Sequence, residues 1–136
     1  MRNVLDSFAG FDNFLVYLAV SLVLLRVFVA IYIRVTPQAE FTLMREGNMA
    51  AAFSLSGAVL GFVIPLGAAV RYSVNLVDMA IWGVIALVVQ IAAFMVVRLL
   101  VPTVCDDITK GNTAQGFFLG ATALGVGILN ASCMSF

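Results

Sequence analysis

Among the polar side chains inside the long apolar runs of this 136-residue chain, five could bind a ligand or line a path. A polar group in hydrocarbon is costly unless it finds a partner or reaches the headgroups, so each one is a candidate site residue. The five are Arg26, Gln90, Gln115, Thr122 and Asn130.

Arg26 carries the only charge among them and lies eight residues before Arg34, about 12 Å deeper along a helix. No acidic residue in any of the apolar runs could neutralise it. Two interpretations stay open. In the first, which we favour, the long side chain snorkels to the headgroups. In the second, Arg26 forms a site between the two halves of the protein, with Gln90 as its nearest candidate partner.

Catalytic chemistry is not indicated. The chain has no His, the commonest general base and metal ligand, and it has no nucleotide-binding loop or zinc-protease motif. Asp106 and Asp107 are adjacent acids, typical of a solvated loop. Cys105 and Cys133 are predicted to lie on opposite membrane faces, unpaired. We therefore expect no enzyme activity, no catalytic residue, no cofactor and no metal site.

The elements that position these side chains are membrane helices. The chain is 63% hydrophobic and 10% charged, with a mean hydropathy of +1.13, whereas soluble domains are about 45–50% apolar and about 25% charged. Four apolar runs approach the roughly 20 residues that a helix needs to cross the hydrocarbon. We expect the first run to be retained rather than cleaved as a signal peptide. The predicted spans are 14–33, 49–69, 79–101 and 113–131.

An internal repeat organises these spans. Residues 47–64 and 111–128 align without gaps at an offset of 64, and Arg26 and Gln90 are related by the same offset. Each copy contains two spans, so both copies enter the membrane from the same side. The sequence predicts an all-α integral membrane protein built from two tandem parallel two-helix repeats, residues 1–70 and 71–136, related by a pseudo-two-fold axis along the membrane normal.

The positive charges indicate the orientation. By the positive-inside rule, the first and third loops are predicted to be cytoplasmic and both termini periplasmic. Four Lys or Arg residues lie on the predicted cytoplasmic face and two on the other, namely Arg34, Arg45, Arg98 and Lys110 against Arg2 and Arg71.

The repeated segment begins with Gly-Asn. Asn48 and Asn112 are predicted to cap the helices that follow, with an anion site at these helix starts as the alternative. Small residues then recur at spacings of three and four, typical of close helix packing within a chain or between subunits, although such a stripe can also line a narrow pore. The packing glycines are predicted to be Gly57, Gly61, Gly116, Gly120 and Gly125. In the fourth span the row of small residues continues through Gly127.

The segments RVTPQAEFTLMREGNMAAAFSLSGAVLGFVIPL and GNTAQGFFLGATALGVGILNASCMSF resemble the YjfL-type bacterial inner membrane proteins, the family of domain of unknown function 350. The resemblance implies a multi-pass inner membrane protein built from paired two-helix modules. It also implies a possible PspA-like membrane-associated partner, because such proteins tend to be encoded nearby. It assigns no catalytic residue.

Our leading hypothesis is a non-enzymatic membrane subunit or docking platform for membrane-associated partners. The alternative is a small channel or transporter with a path between the two repeats. Membrane lipids and further copies of the chain are the other expected partners, and nucleic acid is not expected.

Overall fold

The computed structural model describes residues 10–36 and 40–134. Within these two ranges the structure is helical and contains no strand. Four helices are long and two are short. In chain order they are α1 (Phe11–Val35), α2 (Glu40–Arg45), α3 (Met49–Tyr72), α4 (Leu76–Leu100), α5 (Val104–Thr109) and α6 (Thr113–Cys133).

The four long helices, α1, α3, α4 and α6, are long and apolar enough to cross a membrane. They contain 21 to 25 residues each, somewhat more than the roughly 20 that the hydrocarbon requires. The prediction of an all-helical protein with four spans is therefore confirmed. The two short helices occupy the first and third loops and were not anticipated from the sequence.

The Gly-Asn pairs of the repeat connect each short helix to the long helix that follows it. Gly47 and Gly111 have φ angles of 83° and 84°, a left-handed conformation that glycine adopts without steric cost. The Gly47 N–H donates to the Met44 carbonyl, and the next N–H, that of Asn48, donates to the Leu43 carbonyl. This is the Schellman arrangement that ends a helix, and it explains why glycine stands at this position of each copy.

The asparagines begin the next helix. The Asn48 Oδ1 accepts from the Ala51 N–H at 3.0 Å, and the Asn112 Oδ1 accepts from the Gln115 N–H at 3.3 Å. Both therefore occupy N-cap positions. Asn48 also donates through Nδ2 to the Ile108 carbonyl at 2.8 Å, so this cap ties the start of α3 to the end of α5.

Helices α3 and α6 form the centre of the fold, with their backbones in direct contact. A Cβ atom added at Gly57 would overlap the backbone of Gly120, and one added at Gly116 would overlap the backbone of Ala50. Gly127 similarly abuts the Gly61 carbonyl. Only residues without a side chain allow such an approach, which provides van der Waals contact where lipid supplies no hydrophobic drive.

Gly125 does not belong to this contact. A Cβ at Gly125 would meet nothing within 4 Å, so its assignment to helix packing is corrected. Gly127, two residues further on, lies on the buried face instead. The difference follows from the helical repeat, since two residues turn the chain by about 200° around the helix axis.

Helix α1 lies at the periphery. Only 6% of the most apolar 18-residue stretch of α1 is buried, against 56% of the corresponding stretch of α3. Aromatic rings hold it in place: Phe28 stacks on Phe62 of α3 with ring centroids 4.6 Å apart, and Tyr32 meets Phe94 of α4 edge-on at 5.7 Å. One side of α1 is therefore fixed to the bundle, while its outward side faces the membrane.

The order of elements, long helix, short helix, long helix, occurs twice along the chain. Helix α5 begins and ends 64 residues after α2, and α6 begins 64 residues after α3. The pseudo-two-fold relation between residues 1–70 and 71–136 stays a prediction.

Replacing Gly120 by Ala tests the backbone contact. The added Cβ would overlap the Phe53 carbonyl, and we expect a loss of about 2–3 kcal/mol of stability from forced separation of α3 and α6. Gly125→Ala is the matched control, since its Cβ meets open space on the same helix. Unfolding of both variants in detergent decides the matter, and equal stability would contradict the packing.

Candidate functional site

Gln90 joins three membrane helices. It lies on α4 with 1% of its surface exposed, and its Nε2 donates to the Gly61 carbonyl of α3 and the Ala123 carbonyl of α6, both at 3.0 Å. A side-chain amide has two N–H donors, so each carbonyl receives one. Gln90 thus holds α4 against the central α3–α6 pair by polar bonds within the hydrocarbon.

The Gly61 carbonyl needs this donor for a reason visible in the sequence. In an α-helix the carbonyl of residue 61 accepts from the N–H of residue 65, but residue 65 is Pro and has no N–H. Pro65 lies inside α3 and is buried. Gln90 therefore supplies the hydrogen bond that Pro65 removes, and an orphaned carbonyl in lipid is avoided.

Two buried polar atoms on the membrane-spanning helices α4 and α6 have no partner among the described residues. They are the Oε1 of Gln90 and the Nδ2 of Asn130, both buried. Such groups are uncommon in native structures and call for an explanation. Asn130 lies seven residues beyond Ala123, about 10 Å along α6, so these two atoms do not form one site.

Arg26 points away from the bundle. It is exposed on α1, and no hydrogen bond or ion pair involves it among the described residues. The structure does not bring Arg26 and Gln90 together, because Arg26 is exposed on α1 whereas Gln90 is buried on α4. The same repeat offset therefore places one residue on the outside and the other in the core.

The remaining polar candidates are spread along α6. Gln115 lies in the first turn, where its backbone N–H bonds to the Asn112 cap, and Thr122 and Asn130 are half-buried further along. The structure does not bring Arg26, Gln115 and Asn130 together. Of the five intramembrane polar candidates, Gln90 alone makes a side-chain hydrogen bond between helices in the described part of the chain.

A second polar region, absent from the sequence-based predictions, lies where the short helices meet α1. We call it the Glu40 cluster, and it consists of Tyr32, Thr36, Glu40 and Cys105. All four are buried, Glu40 and Tyr32 to within 1% of complete burial. Neither carboxyl oxygen of Glu40 has a hydrogen-bond partner, and neither has the Tyr32 hydroxyl.

Burial governs the ionisation of this cluster. Desolvation raises the pKa of Glu40 to about 7, because the charged form is disfavoured away from water. The Thr36 hydroxyl opposes this rise, although the hydrogen bond that it makes is to the Tyr32 carbonyl at 3.1 Å. Burial also raises the pKa of the Cys105 thiol, with the Arg98 charge acting in the opposite direction.

Glu40 was missed because a lone acid in a polar loop is usually solvated. Its burial depends on the short helix α2, which was not anticipated from the sequence. Cys105 is buried and Cys133 is exposed, and neither forms a disulfide within the described chain. Among the described residues, no three His, Cys, Asp or Glu side chains are grouped so as to hold a metal ion.

These features define the chain as a compact helical membrane protein with four spans, a glycine-packed centre and a buried polar cluster at one end. The chain matches the family described as Domain of Unknown Function (DUF350) over residues 5–134, and it belongs to that family. No solved structure matches it.

Two curated relatives match over most of their length. The chain is 40% identical over 134 residues to the UPF0719 inner membrane protein YjfL of Escherichia coli (strain K12), covering 98% of this chain and 99% of the relative. It is 24% identical over 118 residues to the UPF0719 transmembrane protein YshE of Bacillus subtilis (strain 168), covering 85% and 88%. The chain is accordingly a multi-pass inner membrane protein.

The role of Gln90 can be tested with a double-mutant cycle. Gln90→Met keeps the shape but removes both bonds, and we expect it to cost about 1–3 kcal/mol, since the Gly61 carbonyl is then left orphaned. In a Pro65→Ala background the new N–H satisfies that carbonyl, so the same change should cost less. Stability in detergent is the readout, and equal costs in both backgrounds would contradict this assignment.

Proposed function

We propose that this protein is a non-enzymatic membrane subunit that docks membrane-associated partners through the outward face of α1. The observation that carries the proposal is the outward position of Arg26, a charge within a membrane span that is unpaired among the described residues. A charge in that place is costly, and a counter-charge from outside the chain relieves the cost.

The chain itself offers Arg26 little compensation. In the described spans the acidic residues are Asp12 and Asp78, each in the first turn of its helix, and Glu40 is buried outside the spans. The proposed partner group is a carboxylate on a neighbouring transmembrane helix, which a guanidinium binds through two parallel bonds.

The short helices add a second docking surface. Helix α2 exposes the apolar residues Phe41 and Met44 beside the basic residue Arg45, a combination suited to a membrane surface or a peripheral protein. In the proposed orientation, with both termini periplasmic, this surface is cytoplasmic. Membrane lipids, further copies of the chain and a PspA-like protein are the candidate partners.

A channel or transporter is the second candidate function. The unpartnered Oε1 of Gln90 favours it, because an orphaned acceptor in the core could line a path. The backbone contacts of Gly57 and Gly61 with α6 argue against a path between these two helices within one chain. An ion or solute flux through reconstituted protein that is lost in Gln90→Met would favour the second candidate.

The docking proposal is tested by substituting Arg26. We expect Arg26→Leu to raise the thermal stability of the isolated chain, since a central Arg costs about 2.5–3.5 kcal/mol on insertion scales and Leu is favourable. Arg26→Leu should also release the docked partners, so that the native complex extracted in mild detergent has a lower mass. Arg26→Lys keeps the charge but loses the planar fork, so it should weaken the complex partially.

Val23→Leu is the matched control, because Val23 is exposed on the same helix and carries no charge. A photoreactive residue at position 22, also exposed on α1, should crosslink a neighbour in the wild type and lose it in Arg26→Leu. An Arg26→Leu protein that is more stable, with an unchanged complex and unchanged crosslinks, would exclude docking through Arg26 and leave snorkelling as the explanation.

A further inference from the structure

The chain contains two glutamates, Glu40 and Glu46, and the structure places them in opposite environments. Glu46 is exposed, as expected for an acid in a short connection. Glu40 is 1% exposed, and both of its carboxyl oxygens are buried without a hydrogen bond. The Tyr32 hydroxyl is also buried and unbonded.

The charged and titratable groups around Glu40 come from several elements. Tyr32 of α1 and Cys105 of α5 interact electrostatically with Glu40. The Cys105 thiol in turn interacts with Arg98 of α4 and with Asp106. The half of α3 nearest α2, residues 49–60, contains no titratable group. No ion pair is formed by Glu40 among the described residues.

A carboxylate in this position would be a buried anion without a cation, which proteins avoid by neutralising the group. A metal cation would require several oxygen ligands. Among the described residues the cluster offers one carboxyl group and one free hydroxyl, because the Thr36 hydroxyl donates to the Tyr32 carbonyl. A single proton on the Glu40 carboxyl removes the negative charge without any further ligand.

We propose that Glu40 is a reversible proton-binding site, and that the Tyr32 hydroxyl is the donor that stabilises the carboxylate when the proton leaves. On protonation the proton bonds to a carboxyl oxygen of Glu40 and the group becomes neutral. On release the proton passes to water at the α2 end of the membrane helices. The Tyr32 hydroxyl, free in the present structure, then turns to donate to the carboxylate.

The ionisation behaviour agrees with this site. Burial raises the pKa of Glu40 to about 7, above the ordinary value for a glutamate of about 4.3. The folded protein therefore holds the proton in a pH range where the unfolded chain has released it. Folded stability should be highest in acid, fall as the pH rises from about 4.5 to about 7, and level off above that.

The test uses the small number of glutamates. Protein labelled with 13C at the glutamate side-chain carboxyl and reconstituted in nanodiscs should give two carboxyl resonances. Glu46→Gln leaves the Glu40 signal, and Glu40→Gln leaves the Glu46 signal, so each is assigned by removing the other. We expect the Glu40 resonance to titrate with a midpoint within about one unit of pH 7, well above the ordinary value for a glutamate of about 4.3.

Two further measurements complete the test. Tyr32→Phe should raise the Glu40 midpoint by about one unit, because the carboxylate loses its donor. The unfolding temperature of the wild type should fall between about pH 4.5 and about pH 7 more steeply than that of Glu40→Gln. The chain has no His, so no imidazole titration obscures this difference.

A Glu40 midpoint at the ordinary glutamate value of about 4.3 would overturn the proposal. A midpoint that falls with rising sodium concentration at constant ionic strength would overturn it in favour of a metal cation. An unchanged midpoint in Tyr32→Phe would remove Tyr32 from the site. The wild-type titration stands on its own if either Glu40→Gln or Tyr32→Phe fails to fold.

Discussion

The Gly61 carbonyl is the point on which the rest of the structure depends. Pro65 deprives it of its helical donor, and the absence of a side chain at Gly127 lets the α6 backbone lie directly against it. Gln90 then provides the missing hydrogen bond from a third helix. Three of the four spans are thus assembled around one backbone oxygen, in a solvent where an unsatisfied carbonyl is strongly unfavourable.

This arrangement explains why the two halves of the chain differ despite their similar sequences. Helix α4 packs into the central pair, so its polar residue, Gln90, is buried and bonded. Helix α1 lies at the periphery and is fixed by aromatic contacts such as Phe28 on Phe62, so the residue at the same offset, Arg26, is exposed. Helix α4 thus contributes to the core of the bundle, whereas α1 keeps a face free for the membrane or a partner.

The spans could be predicted because hydropathy and length are properties of each segment alone. The caps at Asn48 and Asn112 were predictable for the same reason, since capping is local. The bonds of Gln90 were not, because they depend on which helix faces Gly61. The burial of Glu40 was not predictable either, since it requires α2 to form and fold back beside Tyr32. Pro65, four residues after Gly61, is the sequence signal that the Gly61 carbonyl needs a donor from another helix.

Helices α3 and α6 contact each other within one chain. The alternative is that α3 of one chain contacts α6 of another chain. Phe53 and Phe117 are exposed on these helices, with ring centroids 5.8 Å apart. Cysteines at both positions, in a chain carrying Cys105→Ser and Cys133→Ser, should be joined within a single chain by a short bifunctional thiol reagent, whatever the protein concentration. Crosslinking that produces only covalent dimers would contradict the account, because it would place this contact between subunits.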